Sequence, residues 1–107
     1  MIKVKVSKKN DFVDCVKILG HAGYAPYGKD IVCSGVSSIV TTTINGILTF
    51  DKKYISYSAK QDDFEIVVNV HNEIVDNLIN NMINMLKEIE NDYPNNIKIK
   101  EENLWIC

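Results

Sequence analysis

The chain has 107 residues, which is the length of one compact domain. With 46% hydrophobic residues, 24% charged residues and a net charge of −2, it has the composition of an ordinary globular protein, and disordered, collagenous and membrane classes are excluded. All twelve basic residues are lysine, so the guanidinium groups that read guanine edges are absent and no direct nucleic-acid partner is expected.

The first third of the chain predicts a strand pair followed by a loop. Residues 2–6 alternate between apolar and polar, and residues 12–19 are rich in Val, Ile and Phe, which is typical of two strands joined by the turn-forming residues between them. Residues 20–29 hold three of the five glycines and one of the two prolines. This composition predicts a loop.

The rest of the chain predicts two helices and three strands. Apolar residues three and four apart indicate a buried helix over about 31–49, and segments 54–58 and 63–70 predict a second hairpin. A second helix is predicted from the apolar stripe formed by Ile74, Leu78, Met82, Met85 and Ile89. Alternation at 97–100 adds a short final strand. The order ββαββαβ predicts a single α+β domain with a mainly antiparallel sheet.

The loop and the start of the first helix carry the residue types of a thiol hydrolase. His21 lies at the end of the second strand and Cys33 near the start of the helix. Attack on a peptide carbonyl requires a thiolate and an imidazole that takes the thiol proton and later protonates the leaving amine. A loop broken by glycine and proline can fold back so that the two side chains meet. They are a candidate catalytic pair, although a free cysteine is most often a small buried hydrophobe.

The helix start offers further functional groups. If Asp30 is the N-cap, Cys33 is the third helical residue, where unpaired N–H groups and the helix dipole favour a thiolate and a lowered thiol pKa. The backbone N–H groups of Cys33 and Ser34 are the predicted oxyanion hole. A carboxylate at Asp30 would instead raise the thiol pKa unless it pairs with His21. Ser37 lies one turn after Cys33 and either supports the site or bonds back to a helix carbonyl.

Two segments carry a family resemblance. Residues 20–25, Gly-His-Ala-Gly-Tyr-Ala, and residues 28–37, Gly-Lys-Asp-Ile-Val-Cys-Ser-Gly-Val-Ser, resemble the Prp family of bacterial ribosomal-processing cysteine proteases. The predicted element order and the chain length are similar along nearly the whole chain. The resemblance implies that His21 and Cys33 are the catalytic pair. Gly35, where many relatives carry Ala, departs from the pattern without touching that pair.

The resemblance also implies a substrate and a partner. Enzymes of this family remove a short N-terminal extension, ending in an aromatic-rich stretch, from ribosomal protein twenty-seven of the large subunit. The resemblance also implies a homodimer. We therefore expect a cysteine endopeptidase that needs no cofactor. We expect it to be cytoplasmic, because residues 1–6 alternate between apolar and polar instead of forming the apolar block of a signal peptide. No membrane partner is expected, because no apolar run approaches the roughly 20 residues that cross a bilayer.

The loop has features of a substrate lid. Gly20, Gly23 and Gly28 surround Tyr24 and Tyr27, and this spacing would suit a mobile segment that orders on the substrate. The two tyrosine rings would stack on aromatic residues of the peptide.

The remaining cysteines and histidine predict no second site. Cys15 is assigned to packing, Cys107 is incidental, and His71 is a solvated boundary residue before the second helix. No metal site is predicted, because no second histidine lies at helical spacing from His71 and the cysteines show no CxxC motif.

Two other functions compete with proteolysis. One is a non-catalytic ribosome-assembly or protein-binding module, in which Cys33 is unreactive. The other is a thiol redox sensor, in which Cys33 is oxidised reversibly and no peptide is cleaved.

Overall fold

The computed structural model describes residues 1–103, which form one five-stranded sheet and two helices. Cys107 lies outside the described residues. The elements in chain order are β1 (Ile2–Lys9), β2 (Phe12–Leu19), α1 (Ile31–Phe50), β3 (Ile55–Lys60), β4 (Asp63–Val68), α2 (Glu73–Asp92) and β5 (Ile97–Asn103). The predicted order ββαββαβ and the α+β class are confirmed. Both hairpins form, and β1 and β5 each extend three residues beyond the predicted end.

The strands lie in the order β3-β4-β2-β1-β5. The pairs β1–β2, β2–β4 and β3–β4 are antiparallel, whereas β5 runs parallel to β1. The turn between β1 and β2 consists of Asn10 and Asp11, whose φ angles of 52° and 66° suit a tight two-residue hairpin. Because β2 pairs with both β1 and β4, the strand that follows α2 joins the sheet at the free edge of β1.

The core lies between the helices and one face of the sheet. Ile2, Val4 and Val6 of β1 are buried, and the lysines between them are exposed, which is the period of two expected of a half-buried strand. On α2 the buried residues are Val75, Ile79, Met82, Ile83 and Leu86.

The buried face of α2 therefore differs from the predicted apolar stripe by a rotation about the helix axis. Met82 is buried as predicted, but Ile74 and Met85 are 38% and 41% exposed. Val75, Ile79 and Leu86, which lie beside the predicted stripe, pack into the core instead. The helix has apolar residues on more than one face, and the packing against the sheet and α1 selects which of them are buried.

Helix α1 is more apolar than expected. By length and composition it is long and apolar enough to cross a membrane, with a mean hydropathy of 1.6, although no such helix was predicted from the sequence. The buried core helix of a globular protein can have the same length and composition. In this fold its buried stripe, Val32, Val36, Val40, Ile44 and Ile47, packs into the hydrophobic core, and serines and threonines cover much of the exposed side. We therefore interpret α1 as a core helix.

His71 connects two elements on the side of the molecule away from the loop. Its Nδ1 lies 2.8 Å from Asp76 Oδ1 of α2, and its Nε2 lies 2.8 Å from Asp14 Oδ1 of β2. The ring also contacts Phe12, with 5.2 Å between centroids. Both nitrogens donate only when the imidazole is protonated, so the exposed boundary residue predicted from the sequence is also a cationic bridge between α2 and β2.

This bridge predicts a pH-dependent contribution to stability. The hydrogen bond that His71 donates to Asp76, with a smaller contribution from the one to Asp14, raises the pKa of His71 above its usual value. A raised folded-state pKa contributes stability that is fully present below about pH 6.5 and is lost as the pH rises through the folded pKa. His71→Gln should therefore lower the free energy of unfolding by about 0.5 kcal/mol at pH 6 and by less at pH 9, because the bridge is partly screened by solvent. Urea unfolding at the two pH values measures the difference, and equal losses at both would contradict the bridge.

Candidate active site

The end of β2 and the first turn of α1 bring His21 and Cys33 into contact. His21 Nδ1 lies 3.0 Å from Cys33 Sγ, within the range of a hydrogen bond to sulfur. The backbone N–H of Ala22 donates to the same sulfur over 3.2 Å. The histidine follows the strand by two residues, and the cysteine is the third residue of the helix, as the N-cap at Asp30 predicts. The structure therefore brings together the predicted base and the predicted nucleophile, which the loop separates in sequence.

Asp30 ties the middle of this loop to the first turn of α1. Its side chain is 3% exposed, and Oδ1 accepts from the N–H groups of Val32 and Cys33, each at 3.0 Å. Oδ2 accepts from the N–H of Tyr24 at 2.9 Å and of Ala25 at 3.3 Å. One carboxylate thus caps α1 and anchors the loop that carries His21. It does the N-cap work predicted from the sequence and a positioning task that the sequence did not indicate.

The charges at the site are set by burial and by these bonds. Burial raises the pKa of Asp30, but the four backbone donors, with Cys33 first among them, outweigh burial and hold its pKa below the usual value. Asp30 is therefore a carboxylate at neutral pH. Its Oδ2 lies 3.7 Å from His21 Nδ1, which is an electrostatic contact rather than a hydrogen bond.

The thiol is not acidified in the way that the helix terminus alone predicts. Burial raises the pKa of Cys33; the Ala22 N–H lowers it in part, and the negative charges of Asp30 and Asp62 raise it further. The N–H of Cys33 is bonded to Asp30 rather than being free to favour a thiolate. The pKa of the thiol is therefore raised rather than lowered, first by burial and then by the negative charges of Asp30 and Asp62, and the effect of Asp30 is the alternative that the sequence left open.

This reversal has a measurable consequence. Asp30→Asn keeps an acceptor at the N-cap and removes the negative charge, so the pH midpoint of Cys33 alkylation should move to lower pH. Mass spectrometry of alkylation against pH measures two quantities, the pH midpoint and the limiting rate at high pH. Loop opening alone would change the limiting rate and leave the midpoint where it is. Cys15 is the internal control, because it lies outside the loop and burial also raises the pKa of its thiol. A Cys33 midpoint that stays fixed or rises would contradict the role of Asp30.

The predicted oxyanion hole is engaged within the protein. The N–H of Cys33 donates to Asp30 Oδ1, and the N–H of Ser34 donates to the Asp30 carbonyl oxygen over 3.0 Å. Neither amide is free to bind a carbonyl oxygen of a substrate in this conformation. The assignment therefore stays a prediction that requires these bonds to be exchanged on substrate binding. The backbone N–H of Ala22, which donates to the Cys33 sulfur, is a further amide at the site.

A cavity of about 600 Å³ opens over the thiol. His21, Asp30, Cys33 and Ser34 line it, and Ser37 lies on the same wall, as its position one turn after Cys33 predicts. The opposite wall comes from the β3–β4 hairpin, and the residues there are Ala59, Lys60, Gln61, Asp62 and Phe64. Sequence reasoning missed this second wall. The contact that places it is long-range, a 3.0 Å hydrogen bond from the N–H of Gly20 to the Asp62 carbonyl.

The loop is bent by its glycines. Gly20, Gly23 and Gly28 all have positive φ, the backbone region that glycine enters at little cost. At Gly20 this is reinforced by crowding, because a Cβ there would lie 2.6 Å from the Met1 carbonyl oxygen. Substitution of Gly20 therefore requires movement of the β1 backbone.

The two loop tyrosines lie in different places. Tyr27 lines the cavity and meets the His21 ring edge-on, with 5.8 Å between centroids. Tyr24 instead packs against Tyr93 at 5.3 Å, outside the cavity. Gly28 also lines the cavity, whereas Gly20, Gly23 and Tyr24 do not. Loop mobility stays a prediction, and the Asp30 bonds are what a lid movement would have to break.

The same cluster has donor atoms of metal-ligand type. Within residues 1–103, one atom each of His21, Asp30 and Cys33 lie within 4.8 Å of one another. Imidazole, carboxylate and thiolate are all ligands of Zn²⁺. His21 and Cys33 form a hydrogen bond with each other, and Asp30 accepts hydrogen bonds from four backbone N–H groups. The donor atoms are therefore already used in hydrogen bonds within the protein. The expectation of no metal site stays a prediction.

Comparison with known proteins identifies what the chain is similar to. Residues 1–98 match the family model described as Cysteine protease Prp. The ribosomal processing cysteine protease Prp of Staphylococcus aureus is 34% identical over 83 residues, covering 75% of this chain and 78% of its own. The same-named protein of Mycoplasma genitalium is 31% identical over 108 residues, covering 95% and 97% of the two chains.

Solved structures agree with this match. The crystal structure of the essential ribosomal processing protease Prp from S. aureus, in complex with a covalently linked product peptide, superposes with a TM-score of 0.89 at 27% identity, covering 95% of this chain and all of that one. A complex of the S. aureus protein with a substrate peptide has a TM-score of 0.82 at 26% identity, with the same coverage.

Proposed function

Because this chain belongs to the Prp family of cysteine proteases, we propose that it cleaves an N-terminal extension from ribosomal protein twenty-seven of the large subunit. The observation that carries the proposal is the 3.0 Å contact between His21 Nδ1 and Cys33 Sγ at the floor of an open cavity. The names of the relatives support a ribosomal substrate, and the peptide complexes of the S. aureus protein support a peptide ligand.

The geometry supports a two-step hydrolysis. His21 takes the proton of Cys33, and the thiolate sulfur attacks the carbonyl carbon of the scissile peptide bond. The carbon–nitrogen bond breaks as the imidazolium gives its proton to the leaving amine, which leaves a thioester on Cys33. Water, deprotonated by His21, then attacks the thioester and releases the acid product and the free thiol. Because the pKa of the Cys33 thiol is raised, the nucleophile forms when the thiol transfers its proton to His21, and not from a thiolate that is already present.

The substrate segment would lie in the cavity and continue along the edge of the sheet. Strand β3 is an edge strand, and all of its residues after Ile55 are exposed. Its last residues, Ala59 and Lys60, line the same cavity as Cys33. An extended peptide can pair with such an edge through main-chain hydrogen bonds while its side chains enter the cavity. Tyr27 offers an aromatic surface there for an aromatic residue of the extension.

We also propose that the protein acts as a homodimer in the cytoplasm, without a cofactor. The family resemblance supports the dimer, and the reaction above uses only side chains of this chain. Sedimentation analysis of the purified protein tests the dimer, and a monomer at the concentration used for the cleavage assay would contradict it.

The cleavage itself is tested with the precursor protein. We expect the full-length ribosomal protein twenty-seven to be shortened at one N-terminal bond, detected by intact mass and by sequencing of the new N-terminus, and to stay intact with the Cys33→Ala variant. A precursor bound but left uncleaved by the wild-type protein would instead favour the protein-binding module. Reversible oxidation of Cys33 with no cleavage would favour the redox sensor.

A further inference from the structure

The face of the sheet opposite the helices concentrates positive charge. Across β2, β1 and β5, five exposed lysines lie in two adjacent rows: Lys3, Lys5, Lys17, Lys98 and Lys100, which we call the lysine face. They line one shallow cavity of about 500 Å³. At the backbone the patch measures roughly 10 by 7 Å, from the usual strand spacing and residue rise. A chain with a net charge of −2 thus carries a compact cationic surface.

The pairing register places like charges directly opposite each other. Lys5 is the cross-strand partner of both Lys17 and Lys100, and Lys3 is the partner of Lys98. Like charges in these positions destabilise a sheet. Glu65 pairs with Lys17, and Glu102 pairs with Lys5, at 3.6 and 3.4 Å. Among residues 1–103, Lys3, Lys98 and Lys100 make no ion pair, so bound anions would relieve a repulsion that the fold leaves in place.

We propose that the lysine face binds the phosphate backbone of RNA. Phosphate binding requires only point charges, so it does not need the arginine forks whose absence led to the expectation of no nucleic-acid partner. A membrane surface is the alternative occupant, because Met1 and Leu19 are exposed apolar side chains beside the lysines, and binding to vesicles is therefore measured separately. The choice of RNA over other polyanions rests in part on the proposed ribosomal substrate.

The position of the lysine face gives the binding a consequence. Leu19 lies across from Lys3 in the sheet, and the next two residues are Gly20 and His21. The lysine face therefore adjoins the end of the sheet where the cavity opens. RNA held there would keep a protein bound to that RNA close to Cys33, without contact between the RNA and the catalytic pair.

The test measures RNA binding separately from cleavage. Binding of a fluorescently labelled single-stranded RNA oligonucleotide to the full chain carrying Cys33→Ala is followed by anisotropy over a series of salt concentrations. The test variant adds Lys98→Gln and Lys100→Gln, both exposed on the edge strand. The matched control adds Lys52→Gln and Lys53→Gln, which make the same change in net charge in the turn after α1.

We expect the test variant to lose about tenfold in affinity and about 0.7 per lysine in the slope of log K against log salt, while the control changes by less than about twofold. Equal losses in the two variants would overturn the proposal, since net charge alone would then explain the binding. Binding to vesicles of phosphatidylcholine and phosphatidylserine but not to RNA would overturn it in favour of a membrane surface, and no binding to either would overturn it outright. Loss of precursor cleavage with RNA binding intact would count against the proposed function alone.

Discussion

Replacing either Cys33 or His21 with alanine is expected to lower peptide cleavage by at least about a thousandfold, and the double variant should be scarcely worse than either single one. The reaction requires proton transfer between Cys33 and His21 across their 3.0 Å contact. Without the histidine the thiol has no base, and without the cysteine the histidine has no nucleophile to deprotonate. Steady-state cleavage of a peptide that spans the processing site measures all three variants. Losses that multiply in the double variant would mean that the two residues act independently.

The chain offers a matched control for each change. Cys15→Ala removes a thiol in β2, and His71→Gln removes the other histidine, and neither residue lines the cavity. Both variants should keep cleavage within about threefold of wild type, because they affect stability rather than the reacting atoms. Strong loss of activity in either control, with the fold intact by circular dichroism, would contradict the assignment of the site.

Replacing Asp30 with alanine is expected to have the next largest effect. Four backbone N–H groups lose their acceptor, and the cost of the lost cap and the unpaired donors predicts a loss of about 2 kcal/mol in the free energy of unfolding. Because Tyr24 and Ala25 would no longer be tied to the helix, His21 would lose its position over Cys33. A displacement of about 1 Å predicts a drop of roughly a hundredfold in kcat.

Asp30 acts through other residues, so its test must separate position from stability. Asp51→Ala is the matched control, since Asp51 flanks the other end of α1 and its carboxylate accepts a backbone N–H at an exposed turn. It should lower stability slightly and leave kcat unchanged. Asp30→Asn should recover part of the stability of Asp30→Ala through the cap. If Asp30→Ala lowers stability but leaves kcat near the wild-type value, Asp30 is only a helix cap.

Local patterns in the sequence were sufficient for the elements and for the selection of His21 and Cys33 as a candidate pair. Alternation in β1, the turn at Asn10 and Asp11 and the cap at Asp30 are each encoded within a few neighbouring residues, so they could be read without the fold. The pair His21 and Cys33 was found because both lie in one short motif. Its assignment as catalytic depended on the family resemblance, since one histidine and one cysteine are a weak signal by themselves.

The face that a helix buries was less accessible from sequence. Helix α2 has apolar residues at Ile74 and Met85 as well as at Val75 and Leu86, and periodicity alone selected a stripe that includes the first two. Only the shape of the sheet and of α1 decides which set is covered, because the free energy of burial depends on the partner surface as well as on the helix.

The sequence by itself predicted the α+β class, the element order and a histidine and a cysteine at the two sides of a glycine-rich loop. The tertiary structure decided that the β3–β4 hairpin closes the cavity, that burial raises the pKa of the Cys33 thiol, and that five lysines share one face. The physical reason is distance along the chain. Propensity, capping and turns act between close neighbours, whereas cavity walls, electrostatic shifts and charged surfaces are sums over residues that only strand pairing brings together.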